Sequence, residues 1–190
     1  MKIQLRSYLV GVIICIGVFV LMSCASLKPE EPSLVSRIAE LQESAFDARS
    51  YKYYRKLSKS RALVRNSLFD NLKYVISESD TVILFSTYDD QIGRFEGTLW
   101  TPQKSYNYGT ISGMPPDTLN ITKGKPLYSD FIITNVLKRN WDVIQSRQKE
   151  QGSLLGGTFV QVFFIQKENE ERNIDYFTFE EFFDAFPMPD

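Results

Sequence analysis

Thr158-Phe159-Val160-Gln161-Val162-Phe163-Phe164-Ile165-Gln166 is the stretch that decides how this chain folds. Successive residues of a strand point to opposite sides, so Phe159, Phe163 and Ile165 share one face and Val160, Val162 and Phe164 the other. A strand that is apolar on both faces belongs in the middle of a sheet covered on both sides. Gly156-Gly157 opens it as a turn. Beyond it, Glu168 to Asn173 reads as a polar hairpin tip leading to a partner run, Ile174-Asp175-Tyr176-Phe177.

Working outward, Val82-Ile83-Leu84-Phe85 is a second short apolar run, and it ends at the turn signal Asp89-Asp90. Arg94 to Thr101 and Ser105 to Ile111 read as the next strands, with a brief one around Leu119 to Thr122. Their short links favour antiparallel pairing. Before the strands, Leu34, Ile38, Leu41 and Ala45 repeat at the spacing of one helix face behind Ser33 as N-cap. A second helix is predicted over Lys52 to Ile76, with a stripe of Tyr54, Leu57, Val64, Leu68 and Leu72 interrupted at Arg61. Asp130 is read as the cap of an internal helix carrying Ile133, Leu137, Trp141 and Ile144 and stopped by Gly152. Thr178-Phe179-Glu180-Glu181 fits a capping box for a small terminal helix ending before Pro187. Grouped strands, without strict strand-helix alternation, predict an α+β fold. The expected sheet is mainly antiparallel with about five to six strands, accompanied by N-terminal helices, one internal helix and a short C-terminal helix.

The N-terminal stretch has a different grammar. Lys2 and Arg6 precede an apolar run from Tyr8 to Met22, closed by Leu21-Met22-Ser23-Cys24. A basic start, an apolar middle of about fifteen residues and small residues at the end describe a secretory signal. The run is short of the roughly 20 apolar residues needed to span a bilayer. With a cysteine directly after the small residue, the string resembles the lipobox of bacterial lipoproteins. That resemblance implies cleavage after Ser23 and lipid on the Cys24 thiol and amine. Ala25, standing where an aspartate would imply inner-membrane retention, points to the outer membrane. The expected organisation is a signal peptide over 1–23, a lipidated tether over 24–32 rich in proline and glutamate, and a single α+β domain over 33–190.

Composition narrows the chemistry. The leader holds two basic and no acidic side chains, so the 22 Lys and Arg fall to 20 against 23 Asp and Glu, net −3. That is not the balance of a nucleic-acid binder. Cys15 lies in the leader and Cys24 is the lipid site, so the domain carries no thiol and no disulfide. Histidine is absent from the chain, which removes Ser-His-Asp and Cys-His catalysis and the commonest zinc ligand. No cofactor or metal site is expected. Fourteen Phe and ten Tyr exceed what a core of this size requires, which directs attention to an exposed aromatic face.

Three groups of residues are candidates for function. Lys52, Arg55, Lys56 and Lys59 fall on one helix face, suited to anionic headgroups or an anionic polymer of the envelope, or else to plain solvent. Asp89, Asp90 and Glu96 form the densest carboxylate group. Hydrolysis would need two of them roughly 5 to 10 Å apart in a cleft, whereas turn chemistry alone explains an Asp-Asp pair. Tyr176, Phe182, Phe183 and Phe186 belong to a terminal aromatic set that either docks a partner or packs the last helix on the sheet. The Gly152-to-Gly157 loop runs from helix to strand, the reverse of a phosphate-binding loop. The functional expectation is a lipid-anchored protein of the bacterial cell envelope, a non-catalytic binding or structural module for a protein partner or envelope component. The alternative is a carboxylate-dependent envelope hydrolase using Asp89, Asp90 and Glu96.

Overall fold

The computed structural model describes residues 33–44, 51–89, 93–111, 118–152, 154 and 159–187, without the side chains at 51–57 and 89. The two apolar runs pair with each other. Strand β1 (Thr81–Asp89) lies antiparallel to β5 (Phe159–Glu168), with Leu84 opposite Phe163 and Phe85 opposite Val162. A meander leaves β1 on its other side through β2 (Arg94–Trp100), β3 (Ser105–Thr110) and β4 (Leu119–Lys123). Strand β6 (Glu171–Glu180) returns from β5 through the two-residue turn Asn169-Glu170. The six-stranded order is β4-β3-β2-β1-β5-β6, and every neighbouring pair is antiparallel. The fold is α+β.

Helices cover both faces, as the β5 sequence requires. On one side α1 (Leu34–Ser44) and α2 (Tyr51–Glu78) set Ile38, Val64, Leu68, Leu72 and Ile76 over Val82, Leu84, Phe163 and Ile165. On the other, α3 (Asp130–Leu137) and α4 (Trp141–Gln151) set Ile132, Ile133, Val136 and Ile144 over Ile83, Phe85, Val162 and Phe164. Each fully buried side chain of this size stabilises by about 1.5–3 kcal/mol through removal of apolar surface from water.

Three local expectations are corrected. The internal helix is two helices, because Arg139 takes φ +56 between them. That left-handed backbone is uncommon for a residue with a β-carbon. It is held by the Arg139 side chain, which pairs with Asp175 at 2.6 Å, donates to Gln166 at 2.6 Å and lies over the Phe164 ring. Ser129, not Asp130, caps α3: its hydroxyl accepts the Ile132 N–H at 3.4 Å. The capping box does not open a helix. Thr178, Phe179 and Glu180 continue β6 because β5 offers a ladder partner out to Phe159 opposite Glu180. The expected C-terminal helix is one 3-10 turn, Phe183–Ala185.

Gly97 admits one specific contact. A β-carbon there would overlap the Phe85 carbonyl oxygen and lie 2.6 Å from the Tyr108 hydroxyl. In the space left, the Tyr108 hydroxyl donates to that carbonyl at 2.7 Å, joining β3 to β1 across β2. Gly97→Ala is therefore expected to destabilise at the upper end of overpacking costs, about 3 kcal/mol. Tyr108→Phe, which only removes the donor, should cost about 1–2 kcal/mol. Denaturant unfolding of both variants checks the order; equal stability of Gly97→Ala and the natural chain would refute the packing account.

Candidate functional site

Among the described residues a cleft of about 830 Å³ opens between the β4–α3 connection, α4 and the C-terminal turn. Its floor is aromatic. Tyr128 is buried and stacks on Phe85 at 4.3 Å between ring centres, and Phe186 stacks on Tyr128 at 6.0 Å. A column of rings thus runs from the central strand β1 to the surface, and Phe131 continues the floor. The rim is charged with both signs: Lys125 and Arg147, Asp130 and Asp184. Arg147 contacts Asp184 and Glu150 at 3.0 Å each and stands over the Phe131 ring at 5.9 Å.

The walls are stitched together by the residue that starts α3. Ser129 donates its N–H to the Ala185 carbonyl at 2.9 Å and its hydroxyl to the Asp184 carbonyl at 2.5 Å. The Asp184 N–H donates to the Gln151 side-chain carbonyl at 3.0 Å. One short turn is therefore tied to the start of α3 and the end of α4, so the cleft is preformed. Burial pushes the Tyr128 hydroxyl well above its ordinary pKa, an effect the nearby Glu181 carboxylate reinforces. It stays protonated and serves as a wall, not as a base. The site can receive a flat or apolar group while its rim addresses charges of either sign. No family model, curated protein or solved structure matches this chain.

The residues singled out from sequence scatter. Phe186 lines the cleft, and Phe183, 59% exposed, precedes it by three residues in the C-terminal turn. Phe182 is a correction: it is fully buried against Phe179 and unavailable to a partner. Consecutive residues entering a turn point to different sides, and the capping-box reading had put all of them on one helix. Tyr176 is half-buried far along β6, tilted on Phe163 at 5.0 Å, its hydroxyl accepting from Gln161 at 3.0 Å. Glu96 sits on β2 with its carboxylate 2.5 Å from Arg94, and Asp89 is opposite Arg94 in the ladder. Asp90 and Cys24 lie outside the described residues. Lys52, Arg55 and Lys56 are in the first turns of α2, where side chains are not described, and Lys59 is exposed. Farther along the same helix, Arg65 turns inward and donates to Gln42 at 2.5 Å, with no hydrogen-bond partner for its Nε among the described residues. Burial works against that guanidinium's charge and nearby Glu43 supports it.

Sequence reasoning missed Tyr128, Phe131 and Arg147. The signal available was Tyr128-Ser129-Asp130-Phe131, a serine cap flanked by two rings, the arrangement that brackets a helix entrance with apolar contacts.

Tyr108 and Tyr128 both have hydroxyls raised above 10.0 by burial. Above pH 10 the unfolded chain has lost these protons while the folded chain keeps them, so stability must fall as pH rises. Below pH 10 the two contribute no pH dependence. Absorbance titration is expected to show their ionisation coinciding with alkaline unfolding; ionisation of all tyrosines near pH 10 with the fold intact would contradict it.

Proposed function

We propose that this chain is a lipid-anchored bacterial envelope protein whose domain is a non-catalytic binding module for a protein partner or envelope component, received in the Tyr128–Phe186 cleft. The observation that carries the reading is the string Leu21-Met22-Ser23-Cys24 behind Lys2, Arg6 and an apolar run. Two or more acyl chains hold a protein on a membrane where one does so only marginally, and the lipobox resemblance implies that fuller modification. Among the described residues no helix is long and apolar enough to cross a membrane.

Among the described residues the first helix begins at Leu34, ten residues past Cys24. Fully extended, that length lets the domain stand at most about 33–36 Å from its anchor. It can therefore reach partners close to the membrane surface, here taken as the outer membrane, and not distant ones. The cleft supports a binding role because aromatic floors ringed by charge are typical of interface centres. The carboxylate alternative draws no support from Glu96, whose oxygen is engaged by Arg94 of the same strand.

Palmitate labelling and membrane fractionation test the anchor. Cys24→Ala should lose the label and leave the membrane fraction; a variant that stays labelled and membrane-bound would sink the proposal. For the module, cross-linking in intact envelopes should yield a stoichiometric partner that Phe183→Ala with Phe186→Ala abolishes. A partner retained by that double variant would place docking elsewhere.

A further inference from the structure

The two edges of the sheet are not alike. The phase of β6 follows from its hairpin: with the two-residue turn Asn169-Glu170, the closing pair Glu168 and Glu171 exchanges hydrogen bonds. Residues 171, 173, 175, 177 and 179 therefore point their backbone groups at β5, and 172, 174, 176, 178 and 180 point theirs outward. Two contacts agree with that phase. The Arg172 carbonyl accepts Arg37 of α1 at 2.5 Å, and the Glu180 N–H donates to the Gln148 side chain of α4 at 3.3 Å.

Among the described residues these two side chains close the ends of the edge and leave its middle open. No hydrogen bond from another described residue reaches the outward N–H or C=O groups of Ile174, Tyr176 and Thr178, and none of the three residues is buried. Both faces beside the open stretch are apolar margins of a core. Ile174 and Tyr176 are half-buried on the α1 side, and Phe177 on the other lies under Trp141 at 5.0 Å. The charge between them, Asp175, is neutralised by Arg139. By contrast β4 spans only five residues and carries Lys123 among its outward positions, features that blunt an edge.

We infer that the outer edge of β6 is a strand-addition site that takes one extended peptide segment of a partner protein along Ile174 to Thr178, apolar at alternate positions. Six backbone groups in strand geometry specify a strand as the occupant. Proteins satisfy nearly all such groups once they are removed from water. A second copy of this chain fits less well. Paired strands lie about 4.8 Å apart, whereas packed helices need about 8–10 Å, and α4 lies over β6 through Trp141 and Gln148. An edge-to-edge dimer would press α4 against its copy, while a bare strand brings no helix. The site stands independently of the cleft and of the Cys24 anchor.

The probe is a phage-displayed decapeptide library selected on the full chain in detergent. Selected peptides should lack proline and alternate apolar residues. In the free chain the amides of Ile174, Tyr176 and Thr178 should exchange with solvent much faster than those of Asp175 and Phe177, and bound peptide should slow the first three. Thr178→Pro removes an outward N–H without touching the β5 ladder, so it should weaken binding by about tenfold or more at unchanged thermal midpoint. The same loss is expected when the peptide's own facing amides are N-methylated, with the protein unaltered. Slow exchange of the three amides in the free chain, failure to select any peptide, or equal binding by the methylated peptide would each overturn the inference. Protection that grows with protein concentration, alongside a dimer in sedimentation, would assign the edge to a second copy instead.

Discussion

A strand that is apolar on both faces cannot lie at the margin of a sheet, and the rest of this structure follows from that constraint. β5 needs a neighbour on each side and a cover above and below. β1, apolar from Val82 to Phe85, is the only other described strand with four successive buried apolar residues, and it becomes the adjacent one. The meander must then grow from the far side of β1, and the hairpin from the far side of β5. The covers come in pairs, α1 with α2 and α3 with α4, because one helix cannot span two central strands. Buried area on each face is what holds the layers; the surface ion pairs add little by comparison.

Elements specified by their own periodicity were legible from the sequence. The double-faced apolar character of β5, the stripe of Val64, Leu68 and Leu72, and the short links between β1 and β4 each carry their meaning locally. What was not legible depends on partners distant in the chain. Arg139 breaks a helix because Asp175 and Gln166 wait on the sheet, and nothing near residue 139 announces them. Thr178-Phe179-Glu180-Glu181 has the composition of a helix start, yet a ten-residue ladder outweighs a cap worth about 1 kcal/mol. Arg65 looks like one more member of a solvent-facing charge run until Gln42 is placed against it. The cleft was the least legible part: its walls come from 125–131, 147 and 184–187, and only Phe186 had been marked.

The aromatic surplus turns out to be distributed, not pooled. Phe163 and Phe164 fill opposite cores, Phe85 and Tyr128 begin a column that ends at Phe186, and Phe177 supports Trp141 at the sheet edge. Rings thereby connect the centre of the sheet to two separate surfaces. A rigid interior reaching both cleft and edge lets each present a fixed shape, which lowers the ordering cost of binding.

Helix α1 has a mechanical consequence. It is the first described helix, and the polar links that hold it to the rest include Arg37 to the Arg172 carbonyl, Gln42 to Gln161 at 3.5 Å, Arg65 to Gln42, and Ser58 to Glu43 at 3.2 Å. Tension applied to the chain ahead of Ser33 would therefore load these links and Ile38 before it loads any strand of the sheet. Because they are spread along the helix, α1 would peel away one contact at a time, while the six-stranded ladder remains intact. The helix would act as a fuse, absorbing pull through a local and reversible detachment.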